Sequence, residues 1–385
     1  MTRASQLRLL VLAVLLVTLS TLPVFLVGAA FFQIGPELSI GPLGLGALTA
    51  AFFFTSAAVS TRLGKWVERV GWQKAMRVNG IGSALLATLI APLARDVWSL
   101  ATLLVAGAVV YGISNPAANQ ALALHTNPHR LATVFGIKHA GIPSSTLLAG
   151  LAVPAVVIDL GWRTAFFIAP LLAVVVWALI PRQVPEPVPM EGPMRDSDRL
   201  SGSDLRRLAV VAALGAVAAG ALGTFLVSAS VEAGIDEAAA GWLQFVGSGA
   251  SIGARLLVGM AVDRRGGGRR ALFSLLAAGA VAFAVLPWAV GAWFVIVTII
   301  AYATGWGWPG LMTATVVGSD RSAAASRSAI TQAGVFVGAA GGPLVLGAVA
   351  EQLSFDPMWL LVAVGLVFAV GLSAPVLLQR RVRPA

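Results

Sequence analysis

The chain has no cysteine, three histidines, two tyrosines and only 11% charged residues in a length of 385. Without cysteine there can be no disulfide, no thiolate metal site and no cysteine nucleophile. His125, His129 and His139 are too few and too crowded to build a zinc centre, so no metal is expected. No phosphate-binding loop occurs, so no ATP-hydrolysing device and no cofactor is expected beyond a transmembrane gradient. An ordinary soluble domain is roughly 25% charged. A soluble protein as poor in charge as this one would precipitate.

What is present is apolar: 58% of the residues are hydrophobic. Runs of about 20 apolar residues, each long enough to cross a bilayer, recur down the whole length. Hydropathy predicts crossings over 9–34, 43–63, 75–94, 97–120, 131–158, 163–180, 207–231, 239–262, 270–290, 292–316, 327–350 and 357–379. The expected fold class is therefore an all-α membrane protein. Residues 1–180 form a first set of six spans and 207–385 a second. Between them, 181–206 is rich in proline and charge and has no helical period, as a linker does. Arg3 and Arg8 precede the first span, as in a signal peptide. Its apolar stretch is too long for one, so an uncleaved anchor is expected.

The net charge of +10 could suggest nucleic acid, yet no basic run is interleaved with aromatics. Its distribution explains it better. With the N-terminus inside, 22 of the 26 Lys and Arg residues fall in the tails, the linker and the inner loops, while Arg95 and Arg163 alone fall outside. Positive residues resist translocation, so both termini are expected in the cytoplasm. The excess of Arg over Lys and the abundance of Ala and Gly suggest a GC-rich bacterium, and hence its inner membrane.

The two sets of spans repeat. Gly64–Lys74 (GKWVERVGWQK) aligns with Gly259–Arg270 (GMAVDRRGGGRR), Gly112–Pro116 with Gly305–Pro309, and Ala140-Gly141 with Ala333-Gly334. Three blocks in one register, in corresponding spans, imply a duplicated six-span unit. The acid-Arg-x-Gly-basic loop after the second span resembles the signature loop of the major facilitator superfamily of secondary transporters. That resemblance implies two pseudo-symmetric six-helix bundles around a central cavity, working by rocker-switch alternating access, functional as a monomer. Its latch residues would be Gly64, Glu68, Arg69 and Gly71, and in the second copy Gly259, Asp263, Arg264 and Gly266. The glycines would allow close helix approach, and the acids could cap helices or pair with arginines, favouring an outward-facing state.

Other motifs mislead. Gly249–Gly253 spells a hydrolase elbow and Gly305–Gly310 a dinucleotide fingerprint, but neither follows a strand. Close packing around Gly249 and Gly253, and a broken tenth span, are the expected readings. Gly334, Gly338 and Gly342, with Pro343 and Gly347, make a smooth strip on span eleven. The superfamily's antiporters carry a similar motif in span five, so drug antiport does not transfer from it.

All 16 carboxylates fall in loops or near span ends, whereas two bases lie deep. Lys138 is eight residues from Arg130 and Arg255 eight from Asp263, roughly 12 Å beyond the helix ends. An ionised group there costs at least about 2.5 kcal/mol unless something compensates it. Spans five and eight face each other in the superfamily, which would bring Lys138 and Arg255 to one cavity. Two cations without an acid favour an anionic guest, with Arg255 as a bidentate clamp. Equally, each base can snorkel or bond helix carbonyls. Gln244, Ser248, Ser251 and Arg255 share one helical face. Arg255 resembles the substrate-binding arginine of monocarboxylate carriers, and Phe135–Pro143 (FGIKHAGIP) resembles bacterial cyanate and organic-anion members. Tyr111 and Asn115 of span four, and Tyr302 and Trp306 of span ten, are further substrate candidates. His139 at mid-span, with Glu37 and Glu232 at the outer ends of spans one and seven, are the candidates for proton coupling.

The sequence thus predicts a secondary transporter, not an enzyme, that moves a small organic or inorganic anion across the lipid bilayer. A proton-coupled multidrug efflux antiporter is the alternative; it needs an acid facing the cavity. A non-transporting membrane enzyme or receptor would need a catalytic cluster or a large soluble extension.

Overall fold

The computed structural model describes residues 3–125, 131–181, 200–319 and 324–378. His129, most of the linker (182–199) and the last residues of the chain lie outside them, as does the side chain of His125.

Among the described residues, twelve helices are long and apolar enough to cross a membrane. In chain order these spans are Leu7–Ala29, Pro42–Ser60, Trp72–Leu93, Val97–Leu122, Gly136–Leu160 and Trp162–Leu179, then Gly202–Glu232, Glu237–Arg265, Gly268–Trp288, Gly291–Ser319, Ala329–Gln352 and Phe355–Leu377. The two halves form two bundles, joined most heavily where span two packs on span eleven and span five on span eight. Twelve being even, span one begins and span twelve ends on one face, here the terminal face; the other is the distal face.

Three departures from the hydropathy reading matter. Span one ends at Ala29 rather than near 34, and a separate helix, Phe31–Leu38, follows after Ala30. The turn lets Gln33 donate to the Val157 carbonyl (2.9 Å) and places Glu37 over Trp162. Span five is broken after Lys138, which hydropathy did not foretell. Span ten is broken at Trp306–Trp308, as its glycines and Pro309 foretold.

Two helix starts carry side-chain caps. Asp236 accepts from the Ala238 and Ala239 amides, and Ser201 with Asp204 forms a reciprocal capping box. Gly71 and Gly266, the matched glycines of the repeated loop, both close their helices at positive φ (81° and 73°), which a side chain would strain. Each donates its amide to the carbonyl four residues back at 2.8 Å. One turn geometry thus explains the same glycine in both copies.

In lipid no hydrophobic force pulls apolar helices together, so close backbone approach must do so. Gly334 and Gly338 of span eleven lie on Ala209 and Ala213 of span seven: a Cβ on either would come within 2.0 Å of a backbone oxygen. Between the bundles, a Cβ on Gly46 would meet the Pro343 carbonyl oxygen at 2.1 Å, and one on Gly347 the Pro42 oxygen at 2.5 Å. Gly150 and Gly241 are each within 2.8 Å of the other's carbonyl by the same measure, and Gly28 is as close to Thr224. These cross-bundle contacts all lie in the distal half, which is therefore sealed by backbone against backbone. Gly249 and Gly253 do not pack as the sequence suggested: the nearest atom to a Cβ on Gly249 is at 4.0 Å, and nothing lies within 4 Å of one on Gly253.

Gly338→Leu should therefore lower the thermal midpoint of the purified protein, by overpacking worth about 1–3 kcal/mol. Gly341→Leu, on the same helix with nothing within 4 Å of a Cβ, is the control and should melt like the parent. Equal melting of both variants would contradict this packing.

Candidate functional site

The site begins with two broken helices. A helix end leaves carbonyls without intrahelical partners. In span five the helix Leu131–Lys138 stops, and Pro143 follows His139 by four residues. Proline has no N–H, so the His139 carbonyl has no donor at the i+4 position. In span ten Trp306 caps the helix Gly291–Gly305, and Pro309 opens the next helix. Both half-helix C-termini end at mid-depth, where partial negative charge collects.

Arg255 occupies the place where these ends meet. Its Nε donates to the Trp306 carbonyl at 3.1 Å, Nη2 donates to the same oxygen, and Nη1 donates to the His139 carbonyl. The side chain is buried. One guanidinium on span eight thus ties the break in span five, from the other bundle, to the break in span ten. This is the carbonyl-bonded alternative that the sequence left open.

Lys138, the residue before His139, is also buried and donates from Nζ to Asn115 Oδ1 at 2.9 Å. Asn115 in turn donates to the Tyr111 hydroxyl at 3.3 Å. His139 Nε2 lies 3.2 Å from Thr313 Oγ1. Among the described residues no carboxylate pairs with Lys138 or Arg255. Both cations are met by neutral oxygens, which solvate charge without cancelling it.

On the distal side of this layer lies a tier of rings. Tyr111 stacks on Phe52 (5.5 Å), Phe52 and Phe53 meet edge to face, Phe53 touches Phe25, Phe25 approaches Trp306 (6.5 Å), and Trp306 stacks on Tyr302 (5.8 Å). The tier crosses between the bundles at Phe25 and Trp306. Asn119, one turn beyond Asn115 toward the terminal face, is exposed. The order along the axis is thus packed glycines, aromatic tier, then cations, with the polar side of span four running out to the terminal surface.

The polar face of span eight exists as the spacing predicts, but it is packed rather than open. Gln244 donates to the Thr146 carbonyl at 3.1 Å, and Ser248 shares a 2.8 Å hydrogen bond with Thr146 Oγ1. Ser251 Oγ is buried without a partner, as are the hydroxyls of Thr224 and Ser228.

The proton-coupling candidates are dispersed. Only His139 belongs to the layer. Glu37 sits at the distal surface, where it takes a hydrogen bond from Trp162 Nε1 (2.6 Å) and an ion pair from Arg163 (2.5 Å). The Trp162 bond first, and then Arg163, hold its carboxyl below the ordinary value of 4.5. Glu232 is exposed at the end of span seven.

The repeated loop motif acts through one copy. The Asp263 carboxylate accepts from the Thr133 amide (3.0 Å) and hydroxyl, capping the first turn of Leu131–Lys138 from the other bundle. Its partner is a helix N-terminus, not an arginine. In the first copy Glu68 and Arg69 are exposed with no described partner, and a Cβ on Gly64 would come no nearer than 4.0 Å to its neighbour Pro116. Gly259 is buried, while Arg264 is exposed. Sequence reasoning missed the counterpart on the distal face. There Glu351, ending span eleven, accepts from the Leu43 amide (2.8 Å) in the first turn of span two. Gly41 leaves room for it, since a Cβ there would meet Oε2 at 2.5 Å. It also missed that the His139 carbonyl lacks an intrahelical donor and is open to Arg255, although Pro143 four residues on was the signal.

The model of the Major Facilitator Superfamily matches residues 13–319, so the chain belongs to that superfamily. No curated protein sequence matches it. Among solved structures it is similar to a bacterial homologue of the human lysosomal transporter Spinster in the inward-facing, unoccupied conformation. The TM-score is 0.73 at 16% identity over 100% of both chains. The inward-facing, occupied form of such a homologue gives 0.70 at 17% identity, again over 100% of each. Identity this low speaks for the fold alone. Family and fold together make this chain a multi-pass secondary transporter of the alternating-access type, and its family is one of transporters rather than enzymes.

Two carboxylates therefore clasp the bundles, one on each face, each through a helix N-terminus worth about 0.3–1 kcal/mol. Asp263→Asn should shift the population toward a terminal face that opens, and Glu351→Gln toward a distal face that opens. Spin-label distances across each face would read this, and the absence of native cysteine means labelling sites can be introduced directly. Distances that move the same way in both variants, or not at all, would refute the paired clasp.

Proposed function

We propose that the protein transports a small organic or inorganic anion, bound near mid-membrane between the bundles, with Arg255 as a two-pronged clamp and Lys138 as the second charge. The observation that carries this reading is the pair of buried cations whose described partners are all neutral oxygens. Carbonyls and an amide stabilise a cation locally but leave the region net positive. An anion adds the missing charge, and a carboxylate-like group matches the planar fork of guanidinium. In this reading the anion takes over Arg255 from the His139 and Trp306 carbonyls. It thereby frees spans five and ten to move, which couples occupancy to the change of access. The aromatic tier, with Tyr111, Tyr302 and Trp306, forms the floor of the site, and Asn115 lines its side. Gln244 and Ser251 become available as spans five and eight part. His139, between the two cations in the hydrogen-bonded layer, is the group best placed to carry a proton.

The asymmetry of positive residues supports a cytoplasmic terminal face in a bacterial inner membrane. A complete site between the two halves of one chain supports function as a monomer.

The test is uptake of labelled anions (acetate, oxalate, cyanate and sulfate) into proteoliposomes. The parent should accumulate at least one of them. Lys138→Ala should abolish that uptake while folding normally, Arg255→Ala should abolish it with a lowered melting temperature because two carbonyls lose their donor, and Arg255→Lys should keep a fraction of it. Normal uptake by both alanine variants, or uptake of organic cations instead, would overturn the proposal.

A further inference from the structure

One cavity lies away from the molecule's centre. It is an open-sided groove of about 330 Å³ on the membrane-facing surface between spans three and six. Gly80 and Ala84, one turn apart on span three, form its floor, and a Cβ on Gly80 would stand 3.6 Å from the buried Val176 of span six. Ile81, Val174 and Trp177 stand up as its rims and are exposed. Its lining is apolar except for one residue, Arg77.

Arg77 lies five residues inside the start of span three at Trp72, roughly 8 Å along the helix, so its guanidinium reaches the level where lipid headgroups sit. It leans over the Trp177 ring, 5.8 Å from the centroid, which fixes it at the mouth of the groove. Two more cations border the same end. Lys74, one turn earlier, is exposed, and Arg8 donates to the Leu179 and Ala178 carbonyls (2.8 and 3.1 Å) where span six ends. Gln73 ties the two spans together there through the Pro181 carbonyl (2.9 Å). Among the described residues no carboxylate pairs with Arg8, Lys74 or Arg77.

An apolar channel running into the bilayer, with three unneutralised cations at its headgroup end, is complementary to one kind of molecule. We infer that the groove between spans three and six is a binding site for an anionic phospholipid. Its phosphate sits against Arg77, with Lys74 and Arg8 beside it, and one acyl chain lies along Gly80 and Ala84. A zwitterionic lipid offers the same chain, but its cationic headgroup meets three cations, so the site selects for net negative charge. The site is separate from the cation layer between the bundles and does not depend on what that layer transports.

The test is native mass spectrometry of the intact protein titrated with phosphatidylglycerol or with phosphatidylcholine of the same chains. The parent should retain one phosphatidylglycerol at least about tenfold more tightly than phosphatidylcholine, as a charge-assisted Arg–phosphate contact implies. Arg77→Gln should erase the preference by weakening phosphatidylglycerol alone. Gly80→Leu, which fills the trough with ordinary contact to Val176, should weaken both lipids while leaving Arg77 in place. A melting temperature like the parent's certifies that each variant is folded. Equal retention of the two lipids by the parent, or a preference that survives Arg77→Gln, would overturn the inference. Loss of the preference in Arg77→Gln with no effect of Gly80→Leu would overturn the groove as the seat of the chain.

Discussion

A guanidinium in the middle of a bilayer must find oxygen, and in this protein it finds the carbonyls that two interrupted helices set free. Much of the functional architecture follows from that need. The breaks in spans five and ten would be costly in lipid if their orphaned carbonyls had no donors. Arg255 would be costly without acceptors. Each makes the other tolerable, and because one break belongs to the first bundle and the arginine to the second, the mutual satisfaction also joins the bundles. Lys138 sits one residue from the same junction, held by a neutral amide, so the interior carries positive charge with oxygen around it and no described counter-ion.

The surrounding construction is consistent with a device that opens on one face at a time. The distal half is closed by glycine-mediated backbone contact, which has no soft side chains to yield. The aromatic tier lies beneath that seal and the cations beneath the tier. Carboxylates at the ends of spans eight and eleven grip helix N-termini of the opposite bundle, Asp263 on one face and Glu351 on the other. Since a rocking motion must separate one of these pairs while preserving the other, they are placed to set the balance between states. The span pairs are related by the repeat, spans two and five of the first bundle corresponding to eight and eleven of the second, while the two clasps use opposite faces.

Much of this was legible in the sequence. Twelve apolar runs, the charge asymmetry and the repeated loop specify an all-α membrane fold, because lipid permits few solutions to backbone hydrogen bonding. The depth of Lys138 and Arg255, and the polar face of span eight, could be read by counting residues. What could not be read is which oxygens those bases choose. That depends on where helices break, and Pro116 and Pro309, aligned in the repeat, behave differently: span four continues through its proline while span ten stops. Gly307, where a Cβ would meet the Ala303 carbonyl oxygen at 2.3 Å, marks the difference. The elbow-like Gly249 and Gly253 were misjudged because glycine spacing reports a possible contact face without naming its partner. Asp263 illustrates the same limit, since its position identified a latch but the donors it accepts from are the amide and hydroxyl of Thr133.

The central claim, that Arg255 is shared between two half-helix ends, can be examined most directly by solid-state magnetic resonance in lipid. With arginine labelled in its guanidinium nitrogens and tryptophan in its carbonyl carbon, the Arg255 side chain should show dipolar coupling to Trp306. The assignment would come from its loss in Arg255→Lys, and a saturating transported anion should weaken the coupling. Absence of any Arg255–Trp306 coupling in the anion-free protein would contradict the account.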